Sequence, residues 1–356
     1  MIRGGLNCLL KLALVGVWLP IAARADDARG IPQHLGDTGL YVAGSLSQVN
    51  SDVLPFSPQY PLWSDGAAKR RWIWLPPGTS IDASRPDAWE FPIGTRLWKE
   101  FAHGRALETR YLERAVDGNW RFGSYVWNAD GSDAVLAPAA GLRDLPAPLS
   151  MTRESRDSPG ARYTIPSEND CRACHEGAPV AVLGFSALQL SPDRDPLAPH
   201  AERLAGSVDL RQLAARGLLR NLPQEFLTHP PRIAAANPAE RAALGYLHGN
   251  CGNCHNDEGP LAVLDMTLAQ RVAAPAPGAV LRSIVGVQSQ FVPAGAPADA
   301  ARIAPGHLAA SVIAARMSSR DPLEQMPPLG TAAVDREALA LVARWIEGLP
   351  VHSSSN

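Results

Sequence analysis

Asn237-Pro-Ala-Glu-Arg-Ala-Ala-Leu-Gly-Tyr-Leu-His-Gly-Asn-Cys-Gly-Asn-Cys-His255 is a capped helix that runs into a C-x-x-C-H motif. Asn237 is the N-cap, Pro238 takes the first helical position and Glu240 follows three residues after the cap. Cys251 and Cys254 are spaced so that each can add a thioether to a haem vinyl group, and His255 adjoins them as the imidazole that reaches the iron. Upstream, Cys171-Arg-Ala-Cys174-His175 repeats the pattern. A composition of five Cys and nine His in 356 residues yields one such motif by chance in roughly a few chains per thousand, and two far more rarely. Two covalently attached haem c groups are therefore expected, with Cys171, Cys174, Cys251 and Cys254 as attachment points and His175 and His255 as iron ligands.

The use of cysteine agrees with export. Residues 1–25 have the basic front, short apolar middle and Ala23-Arg24-Ala25 ending of a secretory signal, which places cleavage before Asp26. Cleavage removes Cys8 and leaves four cysteines, all inside the two motifs, with none spare for a disulfide. It also removes Arg3, Lys11 and Arg24 and no acid, so the formal charge moves from −2 to −5. That balance gives no ground for a nucleic-acid partner. The apolar run is too short for a membrane span, no other segment could cross a bilayer, and a periplasmic protein without a stable span is expected.

With 46% hydrophobic residues the chain can bury a core of two or three domains. Residues 26–58 show no periodicity and read as a lead-in arm. From Tyr60 to Leu136 seven of the nine Trp fall among short alternating runs at 71–75, 96–101, 108–112 and 123–127. Turn signals at Pro76-Pro77-Gly78, Phe91-Pro92-Ile93-Gly94, Asp117-Gly118 and Asp130-Gly131 separate them. These predict an antiparallel β-sandwich or barrel whose core the Trp rings fill, with His103 on a surface loop. Ser64, Asp65 and Lys69 make a polar cluster without the spacing of a nucleophile and its base.

The predicted fold class is thus α+β and multidomain: the Trp-rich β-region over 26–150, then two mainly helical cytochrome-c-like haem units over 151–235 and 236–350, and a tail at 351–356. In the first unit, apolar residues 180–190 are expected to cover a porphyrin and Val208–Leu219 carries helical spacing. In the second, a Pro/Ala/Gly-rich excursion leads to a short helix around Ser311–Met317, the Met326-Pro-Pro-Leu-Gly330 loop and a last helix from Asp335, stopped by Gly348 and Pro350.

Met326 is the preferred sixth ligand of the second iron, because a loop held by two prolines presents a thioether at small entropic cost. Met317 is its rival, on a helix where a core Met is the ordinary expectation. For the first iron the candidates are His200, His229, His248, Met151 and Met266, or an open position that exogenous ligands could reach. A structural zinc site is the competing use of the cysteines, but the His beside the second Cys of each motif is badly placed to join the same tetrahedron.

The chain resembles a family of exported dihaem c-type cytochromes whose haem cassette is sometimes joined to quinone-dependent sugar-dehydrogenase domains. The matching pieces are Tyr60-Pro-Leu-Trp-Ser-Asp-Gly-Ala67 with Arg71-Trp72, Phe91-Pro-Ile-Gly-Thr95, Glu108-Thr-Arg110, Ile165-Pro-Ser167 through Cys171–His175 to Gln189-Leu190, Tyr246–Cys251 and Met326–Gly330, spanning most of residues 60–348. The resemblance implies a redox protein outside the cytoplasm. The expectation is an electron carrier between redox partner proteins, whether cytochrome, dehydrogenase or oxidase. The other readings are a dihaem peroxidase or oxidase using an open first haem, and an electron-accepting subunit for a sugar or alcohol dehydrogenase.

Overall fold

Side chains that alternate between two environments from Ala68 onward build one six-stranded antiparallel sheet, seen in a computed structural model that describes residues 30–146, 162–202, 204–273 and 278–351. Its strands are β1 (Leu54–Pro55), β2 (Ala68–Trp74), β4 (Arg96–His103), β5 (Arg105–Arg114), β6 (Trp120–Trp127) and β7 (Ala134–Leu136), paired in that order. The glycine-bearing turn signals fall between strands, with Gly78, Gly94, Gly118 and Gly131 all at positive φ. The short β3 (Ile81–Asp82) pairs in parallel with β10 (Leu219–Arg220), and β8 (Leu142–Pro146) pairs antiparallel with β9 (Arg162–Ile165).

The expected sandwich or barrel does not form, because irregular segments and short helices, not a second sheet, cover both faces of the sheet. On one face Trp72, Trp98, Tyr111, Tyr125 and Trp127 pack with Ile31, Leu35, Leu40, Tyr41 and Val53 of the lead-in arm. Trp98 Nε1 donates to Thr38 Oγ1 at 2.9 Å and Tyr125 OH to Pro32 O at 2.7 Å, so these two buried polar tips are satisfied. On the other face Ile73, Leu97 and Phe91 share a core with Val182, Phe185, Leu190, Leu210 and Phe226. Phe185 meets Phe56, Trp89 and Phe91 edge-on at centroid distances of 4.8, 5.6 and 5.8 Å. His103, expected on a surface loop, ends β4 and is only 6% exposed.

The two mainly helical units are likewise absent: helices make up 22% of the described residues and the rest is strand-rich or irregular. There are seven α-helices among those residues: α1 (Glu168–His175), α2 (Leu210–Ala215), α3 (Glu225–Thr228), α4 (Pro238–Asn250), α5 (Ala279–Ile284), α6 (Val312–Ser318) and α7 (Arg336–Glu347). Residues 180–190 form turns, with Gly184 at φ +75°, and give their apolar side chains to the sheet. The Val208–Leu219 periodicity yields only α2, since Gly217 at φ +68° reverses the chain into β10.

Helices α4, α5, α6 and α7 share a separate core built on Leu244, Leu247, Ile284, Val342, Trp345 and Ile346. Tyr60 enters it from the β-region. A Cβ added at Gly245 would lie 2.0 Å from the Tyr60 ring, and one at Gly249 would lie 2.4 Å from Tyr60 O, so both glycines are required for this approach. No helix among the described residues is long and apolar enough to cross a membrane. The secretory-signal residues 1–25, Met151 and residues 352–356 lie outside the described residues.

Candidate functional site

Helix α1 presents the first motif. Ser167 caps it through a reciprocal box, its Oγ accepting from Asp170 N at 3.1 Å while Asp170 Oδ2 accepts from Ser167 N at 2.9 Å. Cys171, Cys174 and His175 then fall within its last two turns, against β6, where the His175 ring lies 5.3 Å from Phe122. His175 Nδ1 lies 2.5 Å from Ala181 O, and a carbonyl only accepts, so Nδ1 carries the proton and Nε2 keeps its lone pair. Burial, against that hydrogen bond, pushes the imidazole down to about 4, so it is neutral at pH 7.

The second motif follows α4, capped by Asn237 as expected, with Oδ1 accepting from Glu240 N at 2.9 Å. Cys251 is the residue at the helix end, and His255 N returns to Cys251 O at 2.8 Å, which winds Cys254 and His255 into a tight turn. Asn250, 7% exposed, fixes this end in place: Trp63 N donates to its Oδ1 at 2.7 Å, and its Nδ2 donates to Tyr246 O at 3.0 Å and Pro61 O at 3.3 Å. Burial lowers the His255 pKa, and its buried Nδ1 has no hydrogen-bond partner among the described residues.

The two motifs touch. The Cys174 and Cys254 thiols lie against each other, and their interaction draws the Cys174 pKa down while raising that of Cys254. Beside them Asn256, 1% exposed, donates from Nδ2 to Gly177 O at 2.9 Å. Burial raises the other two thiols, Cys171 to about 11 and Cys251 to about 12, which keeps them neutral.

Cys251 lines an open recess together with Trp63, Tyr246, Met317, Arg320 and Met326. Both candidate thioethers therefore face the same space: Met326 is half-buried on its loop, its N donating to Arg316 O at 3.0 Å, and Met317 is 7% exposed within the helical core. Asp65 ties that loop's far end to the β-region by accepting from Ala332 N at 2.9 Å and Ala333 N at 2.9 Å. The stretch from Tyr60 to Asp65, in which sequence spacing suggests no chemistry, is thus the brace between the second motif and the methionine loop. Only the tertiary structure brings these parts together.

The histidine candidates for the first iron are engaged elsewhere. His200 Nε2 lies 2.9 Å from Asp335 Oδ2, with its ring 4.8 Å from Trp63. His229 is exposed, with Nδ1 3.1 Å from Thr228 Oγ1, and His248 Nδ1 accepts from Gln270 N at 3.1 Å. Met266 packs against the helical core. The residues present fit a covalently held haem at each motif: none of the four thiols is in a disulfide, all four are partly exposed, and His175 has the backbone anchor on Nδ1 that orients an imidazole ligand. Among the described residues no three His, Cys, Asp or Glu side chains converge as ligands of one metal ion would. No family model, curated protein or solved structure matches the chain, so these comparisons leave the resemblance to exported dihaem cytochromes as an expectation.

Proposed function

We propose that the chain is a periplasmic dihaem c-type cytochrome that carries electrons between redox partner proteins. The observation that supports this best is the direct contact between two C-x-x-C-H motifs separated by 80 positions, through the Cys174–Cys254 thiol pair and the Asn256–Gly177 hydrogen bond. Cys171, Cys174, Cys251 and Cys254 are the attachment points for two haem c groups, and each haem supplies one reversible electron when bound. Ala181 O fixes the His175 tautomer, so His175 would offer a neutral Nε2 to the first iron. His255 serves the second iron, and Met326 is its sixth ligand, held in the recess beside Cys251 by the Arg316 backbone. A thioether there favours the reduced state.

A second reading has one observation in its favour. His200, His229 and His248 each hold another partner, which leaves no evident sixth ligand for the first iron among the described residues and fits an open reaction centre of the peroxidase or oxidase kind. Protein matured in a host with haem-attachment machinery decides both points. Colour that survives acid-acetone extraction, and spectra indifferent to carbon monoxide and peroxide, are expected of the carrier. A high-spin component that reacts favours the second reading, and loss of the pigment on extraction overturns both.

A further inference from the structure

Strand register sets three cations in a row across the covered face of the sheet. Arg71 on β2 pairs with Lys99 on β4, Lys99 with Arg110 on β5, and Arg110 with Ser124 on β6. Like charges directly opposite one another destabilise a sheet. Lys69 stands one row away, 3% exposed, its Nζ donating only to Leu62 O at 3.0 Å. Arg71 is 6% exposed, and no carboxylate lies within ion-pair distance of Arg71 or Lys99 among the described residues. Lys99 and Arg110 instead crowd the ring of Phe101, at 4.8 and 4.4 Å from its centroid. Two acids act on the row: Glu108, already engaged by Arg110 and by Tyr163 OH at 3.1 Å, and Glu202, which attracts Arg71 and Lys69. The Ser124 hydroxyl at the row's end, in a residue 4% exposed, has no hydrogen-bond partner among the described residues and lines a recess with Cys171, Phe122 and Glu168.

A partly buried row of three cations, of which only Arg110 has a carboxylate in ion-pair contact among the described residues, is a seat for further negative charge. We propose that Arg71, Lys99, Arg110 and Ser124 take up the propionate carboxylates of the haem joined at Cys171 and Cys174. This rests on the proposed haem attachment. The location favours that source of carboxylate, because the charges of Arg110 and Lys99 act on both Cys174 and His175, and Arg110 acts on Cys171. Mutual repulsion and desolvation also hold the Lys99 ammonium well below its usual range, a cost that an adjacent dianion removes.

The test is a spectroelectrochemical titration of the dihaem protein between pH 5.5 and 8. In the wild type both potentials should be nearly independent of pH. In Lys99→Met one of the two should fall and become pH-dependent, because the carboxylate pKa rises by about one to three units into the range scanned when its cation is removed. Lys99→Arg should restore the wild-type curve. Ser124→Ala should move the same potential in the same direction by less, and it serves if Lys99→Met fails to fold. A potential unmoved by all three variants in pigmented protein overturns the seat while leaving haem attachment intact. Inorganic phosphate added at constant ionic strength should change nothing. A saturable phosphate response in the wild type that Lys99→Met abolishes means that a solution oxyanion takes the seat, and overturns the assignment to propionate. Protein that loses its pigment on extraction overturns haem attachment and the seat together.

Discussion

His175 and His248 are both neutral imidazoles held at about 4 by burial, and such groups make stability depend on acid. The unfolded chain takes up protons near an ordinary histidine pKa of about 6.5, whereas the folded chain resists until about 4. The folded state therefore binds fewer protons across that window, and stability, complete above about 6.5, falls as the pH drops towards 4. Urea midpoints measured over this range should decline in the wild type, and His248→Gln should shallow the decline while leaving the iron ligands in place. A decline of unchanged steepness would show that His248 is charged in the fold. The methionines separate in the same way, one residue at a time. Met326→Ala should abolish one Met-to-iron charge-transfer band and lower one potential, whereas Met317→Ala should cost about 2–5 kcal/mol of stability and keep the band. The reverse outcome assigns the thioether to Met317.

At the scale of elements, the close approach of Tyr60 to α4 is the contact most exposed to substitution. A methyl group at Gly245 overlaps the Tyr60 ring, and helix propensity alone would favour Ala there, so the sign of the effect separates packing from propensity. Gly245→Ala should destabilise by about 1–3 kcal/mol in thermal melts, and a stabilised variant would rule the contact out. The strands were legible in advance because period-two alternation and glycine turns act locally: the runs at 71–75, 96–101, 108–112 and 123–127 each fall largely or wholly inside β2, β4, β5 and β6. The covers of the sheet were not legible. Ile31, Leu35 and Tyr41 contribute singly from an arm without period, and Phe185 looks like helix or haem packing until Phe56, Trp89 and Phe91 are placed around it. The motif cysteines stand out because their C-x-x-C-H spacing is written in the chain itself, while the row Arg71–Lys99–Arg110 exists only once three strands are in register.

Across the whole molecule, two motifs in contact mean that the two haems proposed for them would feel each other's charge. Reduction of one should lower the potential of the other, seen as a titration broader than two independent one-electron waves, and two independent waves would show the centres to be uncoupled. Asn256 holds that contact, and its Oδ1 also accepts from Gly259 N at 2.7 Å. Asn256→Ala should therefore cost about 1–3 kcal/mol and narrow the titration towards independence. The brace from Tyr60 to Asp65 has a temporal consequence. Trp63 reaches Asn250 across 187 positions and Asp65 reaches Ala332 across 267, so the second cysteine pair is clamped only after the chain has been made as far as residue 332 and has folded back onto the β-region. Until then Cys251 and Cys254 stand on an unclosed chain, which would leave the thiols of the proposed haem site accessible to attachment.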